Sequence, residues 1–286
     1  MDKNRQMVKE NAHFYTRPDV YDIAFIHATF IKHRFARHVH DYFVLGIIEA
    51  GLQTFSYRGA QHGTAPSGII VLNPDEPHTG EAATPEGFVY KALYPSADLM
   101  QFVAAEMVGR STALPFFTAP VIYDATLARR ILGLHQALVT PTSALEGEVG
   151  MLHVLADLVR RYADSHFAMR PLGEERAAVR RVRDYLDAHY DQNISLAQLA
   201  DLVGFSPFYL ARVFKSEMGI PPHAYLESIR IRHAQRLLAS GQPLAEVAYA
   251  TGFAHQSHFT NRFKRFVGIT PAQYAKERKI TQDRSL

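Results

Sequence analysis

The first part of the chain alternates between short apolar stretches and turn-forming residues. Residues 20–95 are rich in Val, Ile, Phe, Tyr and Thr, and clusters of Gly, Pro, Asn and Asp interrupt them at intervals. Branched and aromatic residues favour extended backbone, whereas the interrupting residues favour tight turns. This pattern predicts a series of short strands.

The apolar period changes after Pro95. In residues 96–109, 124–139 and 144–166, apolar side chains recur three and four positions apart, which predicts three amphipathic helices. The apolar stripe on the second helix has two open interpretations: it covers the strand-rich domain, or it forms a dimer interface. Its members are Leu127, Ile131, Leu134 and Leu138.

Pro171 and Gly173 then interrupt the helical pattern. Such a break is typical of a domain boundary. We therefore predict a first domain over residues 1–166, a linker over residues 167–174 and a second domain over residues 175–286. The second domain is predicted to be all-α, because helix and turn patterns fill it.

Residues 196–225 are repeated, with small changes, at residues 244–274. Five identities recur at a spacing of 48 and six at a spacing of 49, so the second copy has gained one residue in its turn. The repeated residues of the first copy are Leu196, Ala197, Ala200, Gly204, Phe205, Phe214, Lys215, Gly219, Ile220, Pro222 and Tyr225.

Each copy has the parts of a helix-turn-helix motif, predicted at residues 195–217 and 243–266. Ser195 can accept a hydrogen bond from a free backbone N–H of the first helical turn. Ala200 is small where a second helix crosses, and Gly204 can adopt the left-handed conformation that ends a helix.

The second helix of each motif carries side chains suited to the major groove. Ser206 is predicted to cap it in the first copy, Pro207 to occupy its first turn and Gly219 to end it. The apolar faces are Leu210, Val213 and Phe214 in one copy and Phe259, Phe263 and Phe266 in the other. Arg, Asn and Gln can pair with base edges, while Lys and Arg neutralise phosphates. The predicted DNA-binding residues are Ser206, Phe208, Tyr209, Arg212, Lys215, Gln256, Ser257, His258, Asn261, Lys264 and Arg265.

A long helix is predicted between the copies, over residues 222–240. At ~1.5 Å per residue it spans roughly 28 Å, comparable to the ~34 Å between successive major-groove faces of B-DNA. One chain is therefore predicted to contact two consecutive turns of DNA. Charge agrees with this, since from Arg212 onward the chain carries 12 Lys and Arg against 5 Asp and Glu, which favours an anionic partner.

Two absences narrow the function. The chain has no Cys, which excludes disulfides, thiolate metal sites and thiol nucleophiles, and with them a DNA-repair alkyl acceptor. No apolar run approaches the ~20 residues of a membrane span, so we expect a cytoplasmic protein with no membrane partner.

Residues 180–278 closely resemble the DNA-binding domain of the AraC/XylS family of bacterial transcription regulators. The resemblance rests on the repeated G-F, F-K and G-I-x-P-x-x-Y marks and on R-I-x-x-A-x-x-L-L, which ends at Leu238. It implies a seven-helix module whose third and sixth helices, here residues 207–217 and 256–266, enter the groove. It also implies that Phe208, Arg212, Gln256, Ser257 and Asn261 face bases. Many relatives have Arg at the position of Asn261 and a longer polar residue at that of Ala211, so the bases read are not predicted.

Residues 35–59 and 65–80 resemble the ligand-sensing domain of the same family. The marks are H-x-H, P-x-G and N-P-x-x-x-H, and they imply a cupin-like antiparallel β-barrel. Period-two alternation places His38, His40, Tyr42 and Val44 on one strand face. The predicted ligand-binding residues are His38, His40, Tyr42, Tyr57 and His78.

Three histidines also suggest a metal-dependent cupin enzyme. Metal-binding cupins usually carry Glu three or four residues after the second His, where this chain has Val44 and Leu45. We therefore predict no catalytic residue, no metal and no cofactor, and we keep the fused enzyme and a ligand-independent regulator as alternatives.

The predicted fold has two domains: a cupin-like β-barrel with flanking α-helices, and an all-α domain with two helix-turn-helix motifs joined by a long helix. The predicted function is transcription regulation in response to a small-molecule effector. Its predicted partners are promoter DNA and RNA polymerase, and a homodimer is an open alternative.

Overall fold

The computed structural model describes residues 10–140, 143–164, 167, 172–267 and 269–276. These residues divide into two compact units. The first is drawn from residues 1–139 and 150–170, and the second from residues 140–149 and 171–286. Residues 168–171 of the predicted linker lie outside the described residues. So do Gly268 and residues 277–278, which end the segment that resembles the family's DNA-binding domain.

Short antiparallel strands form the body of the first unit, as the alternating pattern predicts. They are β1 (Asn11–Arg17), β2 (Ile23–Phe30), β3 (Arg34–His38), β4 (Val44–Gly51), β5 (Gln53–Tyr57), β6 (Ala60–Thr64), β7 (Ile69–Leu72), β8 (His78–Ala82), β9 (Phe88–Tyr94) and β10 (Val121–Ile122). One sheet has the order β1-β2-β9-β4-β7-β10 and the other β3-β8-β5-β6. Strand β1 was not predicted.

The core of this unit lies between the two sheets. It is built from inward-facing side chains of β2, β4, β5, β7 and β9, including Ile26, Val44, Phe55, Ile70 and Tyr90. Strict alternation along β5, in which Gln53, Phe55 and Tyr57 are buried and their neighbours are not, shows how the pleat separates the inner from the outer face.

Three helices accompany the sheets: α1 (Ala97–Val108), α2 (Ala125–Val139) and α3 (Ala144–Tyr162). The four predicted stripe residues of α2 are all buried, and His135 Nε2 bonds the Ile26 carbonyl on β2 at 2.8 Å. The stripe therefore covers the sheet within the chain, which agrees with the first of its two interpretations.

The second unit contains six further helices: α4 (Arg176–Ala188), α5 (Leu196–Val203), α6 (Pro207–Met218), α7 (Pro222–Ala239), α8 (Leu244–Ala250) and α9 (Gln256–Val267). Residues 271–276 are also helical. None of the described helices combines the length and the apolar composition needed to cross a bilayer.

The start of α3 belongs to the second unit, although residues up to 166 were predicted to lie in the first domain. Glu148 accepts a hydrogen bond from the Leu196 backbone N–H at 2.6 Å, and Glu146 pairs with Arg262 at 2.6 Å. These two carboxylates tie residues 143–149 to the helix-turn-helix region.

Candidate nucleic-acid interface and sensing cavity

The first helix-turn-helix consists of α5 and α6, and its boundaries follow from the predicted capping residues. Ser195 forms a capping box with Gln198 at the start of α5. Gly204 ends α5 in the left-handed conformation, with φ of 70°. Ser206 caps α6, whose first residue is Pro207. Ser206 thus has a structural role beside its predicted DNA contact.

The predicted outward face of α6 is wrong for two residues. Phe208 is 1% exposed and Tyr209 is 8% exposed. The Tyr209 hydroxyl accepts a hydrogen bond from the Gly173 backbone N–H at 3.0 Å and donates one to Glu175 at 3.2 Å. The prediction treated α6 as a half-exposed helix, but the segment that precedes α4 lies against this side of it.

Arg212 is only partly accessible as well. Its guanidinium lies 5.6 Å from the Phe208 ring centre, and burial lowers the pKa of Arg212 from its ordinary value. Lys215, one turn further along, is exposed. The exposed side chains of α6 therefore lie in its C-terminal half.

Helix α9 of the second motif is open along its polar face. Phe259 and Phe263 are fully buried. Phe266, predicted to continue their stripe, is 44% exposed, because it lies at the end of the helix beyond the core. The exposed polar residues of α9 are Gln256, Ser257, Asn261, Lys264 and Arg265.

His258 is the exception among the predicted outward residues of α9. It is partly buried, and its Nε2 accepts a hydrogen bond from Arg262 Nε at 3.1 Å. Burial, with the neighbouring positive charge of Arg262 as a second cause, lowers the pKa of His258 to about 4. This imidazole is therefore neutral at pH 7 and orients Arg262.

Arg262 was not identified from the sequence. Its guanidinium bonds both carboxylate oxygens of Glu146, at 2.8 and 2.6 Å, and its Nε lies 3.0 Å from Glu227. The sequence signal was the i,i+4 spacing of His258 and Arg262, but the acidic partners lie far away in the chain.

Helix α7 joins the two motifs, and Arg230 fixes its position. Arg230 is buried and donates hydrogen bonds to the carbonyls of Tyr190 at 2.7 Å and Gln192 at 2.8 Å. Its guanidinium also lies 5.7 Å from the Phe253 ring centre in the second motif. The side chain therefore bonds the turn before α5 while it packs on the residue that precedes α9.

A small cavity of about 60 Å³ lies inside the β-barrel. Its apolar walls include Phe35, Phe55, Leu72 and Tyr90. His38, His40 and His78 line it, as predicted, together with Val44 and Tyr94. The binding of an effector there remains a prediction.

Strand pairing explains why the three histidines meet. His38 and His78 are register partners on β3 and β8. His40 follows the end of β3, and its backbone carbonyl accepts a hydrogen bond from the Asp75 N–H at 2.7 Å. The Nε2 atoms of His38 and His40 are 3.1 Å apart, and one ring nitrogen from each histidine lies within 4.8 Å of the others.

Backbone carbonyls set the tautomers of two of these rings. His38 Nδ1 lies 2.7 Å from the Ala36 carbonyl, and His78 Nδ1 lies 3.0 Å from the Glu76 carbonyl. A carbonyl can only accept, so both Nδ1 atoms carry the proton and both Nε2 atoms are acceptors. The 3.1 Å contact is then a hydrogen bond that His40 Nε2–H donates to His38 Nε2. Burial lowers the pKa of His78, and burial with the nearby His78 lowers the pKa of His40 to about 4.

Two predicted ligand residues do not line the cavity. Tyr57 is 1% exposed, but its hydroxyl accepts hydrogen bonds from the backbone and side-chain amides of Asn73 at 3.2 and 3.0 Å. It holds the N-P turn in place, which period-two alternation does not reveal. Tyr42 stacks on His40 with a ring separation of 4.5 Å and so reaches the cavity only through that ring.

Gln53 lines the cavity and was missed. It is 8% exposed, and its Oε1 has no hydrogen-bond partner among the residues described. The sequence signal that could have identified Gln53 was a polar residue at a position that the period-two pattern of β5 places on the buried face.

The fold and these sites define a class of protein: a DNA-binding domain with two helix-turn-helix motifs, joined to a barrel with a small internal cavity. Residues 199–277 match the family model described as "Helix-turn-helix domain", and residues 20–156 match "AraC-like ligand binding domain". The uncharacterized HTH-type transcriptional regulator YbfI of Bacillus subtilis is 35% identical over 228 residues, which are 80% of this chain and 82% of that protein. The chain belongs to the AraC/XylS family of transcription regulators, which confirms the resemblance.

The chain is also similar to solved structures. The C-terminal domain of AraT, a response regulator from Geobacillus stearothermophilus, is 36% identical, with a TM-score of 0.34 over 35% of this chain and 84% of that one. A variant of ToxT from Vibrio cholerae, in its apo form, is 15% identical, with a TM-score of 0.39 over 88% of this chain and 96% of that one.

Proposed function

We propose that this regulator binds promoter DNA through α6 and α9 in consecutive major grooves, and that a small effector in the barrel cavity changes that binding. The observation that carries the proposal is the exposed polar face of α9. Its amide and hydroxyl side chains suit base edges, and its two cations suit phosphates.

The spacing of the motifs supports the use of both. Helix α7 contains 18 residues, or roughly 27 Å at ~1.5 Å per residue. Arg230 bonds the turn just before the first motif and packs on Phe253 of the second motif, so α7 can act as a rigid connector between them. A rigid connector favours binding to two grooves, because little conformational entropy remains to be lost.

Affinity for DNA upstream of the protein's own gene, measured with unrelated competitor and at two salt concentrations, tests the proposal. We expect saturable binding that survives competitor and weakens steeply with salt. Asn261→Ala should weaken binding to that site alone, whereas Gln242→Ala, which changes an exposed amide in a turn outside both recognition helices, should leave it unchanged. Equal affinity for competitor and upstream DNA contradicts sequence-specific binding.

Three further elements belong to the same proposal. The protein acts in the cytoplasm, where the chromosome is, and it contacts RNA polymerase when bound at a promoter. A homodimer would need a surface other than the α2 stripe, since the sheet already covers that stripe. Sedimentation at several protein concentrations tests dimerisation. Transcription in vitro with purified RNA polymerase tests the contact with the polymerase.

Two alternatives make different predictions. A ligand-independent regulator would show the same DNA affinity whatever is added to the sensing domain. An enzyme would consume a substrate in the barrel, but the relatives are named as transcription regulators. We therefore propose sensing without turnover.

A further inference from the structure

The three histidines at the barrel cavity have a geometry that suits a metal ion better than an organic molecule. Among the described residues, they form the one group of three or more His, Asp or Glu side chains whose ligand atoms lie close enough together to hold a metal ion. An ion bound to two imidazoles at ~2.0–2.1 Å, with a tetrahedral angle between them, places the two nitrogens about 3.3 Å apart. The Nε2 atoms of His38 and His40 are already 3.1 Å apart.

The ring orientations are those that a metal requires. His38 and His78 donate through Nδ1 to the carbonyls of Ala36 and Glu76, so their Nε2 atoms are unprotonated. An ion would replace the proton that His40 Nε2 donates to His38 Nε2, and His40 would then carry its proton on Nδ1. Donation of the second ring nitrogen to a backbone carbonyl is the usual outer-shell support of a metal-binding histidine. The ligand nitrogens all lie within 4.8 Å of one another, so the His78 ring must move by at most about 1.5 Å to reach the ~3.3 Å separation of two ligands on one ion.

The contents of the cavity point the same way. Gln53 is buried, faces the cavity and leaves its Oε1 without a partner among the described residues. Register pairs Gln53 with Ala82, four residues from His78, so Gln53 is too far along the sheet to be a direct ligand. It can instead accept a hydrogen bond from a water in the cavity. An unpaired amide oxygen in an apolar cavity otherwise carries a desolvation cost.

Size separates a metal from an organic effector. The cavity measures about 60 Å³, whereas sites for drug-sized ligands measure roughly 300–1,000 Å³. It holds an ion with one or two waters, since a water occupies ~30 Å³ in the liquid. Imidazole ligands without thiolate suit Zn²⁺, Ni²⁺ and related first-row ions.

We propose that His38, His40 and His78 bind one divalent transition-metal ion, and that this ion is the signal that the sensing domain reads. The second half of the proposal rests on the proposed function, whereas the first half does not. The glutamate of metal-binding cupins is absent, so three imidazoles leave the ion at least one open coordination position.

Titration of the full-length protein, stripped with chelator, with Zn²⁺ and separately with Ni²⁺ tests the site. We expect one ion per chain by calorimetry. Loss of an outer-shell partner costs roughly 10–100-fold in affinity, so His40→Ala should cost at least about 100-fold. His13→Ala removes an exposed histidine of the same domain and should leave the affinity unchanged. If His40→Ala does not fold, His38→Ala, which changes another partly exposed ring, gives the same test.

Absence of stoichiometric binding of either ion, or equal affinity in His40→Ala and His13→Ala, would overturn the site. Upstream-DNA affinity of the same samples, with and without metal, tests the signal. If metal changes the DNA affinity of the parent protein but not that of His40→Ala, the ion is the signal. If metal leaves the DNA affinity of the parent protein unchanged, the ion is not the signal. Specific DNA binding without metal binding contradicts only this inference, whereas metal binding without specific DNA binding contradicts the proposed function.

Discussion

Replacement of Arg262 by Ala should destabilise the second unit strongly, although Arg262 lies on a helix whose polar face is open. The guanidinium is 14% exposed, and its partners Glu146 and Glu227 are 21% and 15% exposed. Burial raises the pKa of Glu227, and the positive charge of Arg262 opposes that rise. Without Arg262, two carboxylates would face each other in a mostly buried site.

The magnitude follows from this geometry. Removal of one partner from a fully buried ion pair costs about 3–5 kcal/mol, because it leaves an uncompensated charge. Solvent reaches a seventh to a fifth of each side chain here and screens part of the effect. We therefore expect Arg262→Ala to lower the free energy of unfolding by about 2–4 kcal/mol, a large share of the ~5–15 kcal/mol of a typical domain.

Urea unfolding of the full-length protein at pH 7 measures this loss. The chain has no Trp, so far-ultraviolet circular dichroism of the helices is the signal. Lys264→Ala is the matched control: it removes an exposed cation two residues along the same helix, where surface substitutions stay within about 0.5 kcal/mol.

A double-mutant cycle sharpens the test. Glu146→Gln should destabilise the parent protein, because it weakens the pair with Arg262. In the Arg262→Ala background the same change should be stabilising, because it removes a repulsion with Glu227. The reasoning fails if Arg262→Ala costs no more than Lys264→Ala, or if Glu146→Gln has the same sign in both backgrounds.

Three further predictions concern the recognition helices. Arg212→Ala should cost about 1–3 kcal/mol of DNA-binding free energy, confined to one base position. Lys264→Ala should weaken binding to all sequences and reduce the slope of log affinity against log salt concentration by about 1. Quantitative footprinting on single-base variants of the site separates the two outcomes. Ser206→Ala should cost about 1 kcal/mol of unfolding free energy through loss of the α6 cap, against no change for the exposed Ser216→Ala. The pKa of His258 is depressed, so the folded state binds fewer protons than the unfolded state below pH 6.5, and stability should fall as the pH drops from 6.5 towards 4. The pKa of His40 is also lowered to about 4, so His258→Asn should reduce, but not abolish, the slope of that part of the urea stability profile, and an unchanged slope would contradict the assignment.

The predictions that succeeded from sequence depend on contacts within a few residues. Ser195, Gly204, Ser206 and Gly219 begin or end helices where predicted, because caps and left-handed ends are set by local backbone chemistry. The strand region and the three helices after Pro95 succeeded for a similar reason. Their side-chain periods of two and 3.6 are local properties of the chain.

The predictions that failed depend on segments distant in sequence. Tyr209 is covered because Gly173 and Glu175 lie against it. The Tyr57 hydroxyl accepts a hydrogen bond from the side chain of Asn73, 16 positions along the chain. A single helix or strand pattern gives the face of a residue but not its tertiary partner, so both residues were assigned to binding.

The two recognition helices differ in their readiness for DNA. Helix α9 exposes its polar face, whereas Phe208 and Tyr209 of α6 are buried. If α6 enters the groove as proposed, Phe208 stays buried and the contacts fall to the partly exposed Arg212 and the exposed Lys215. Helix α9 instead presents two amides, a hydroxyl and two cations, and amide and guanidinium groups are those that pair with base edges. The second motif can therefore read more base edges than the first.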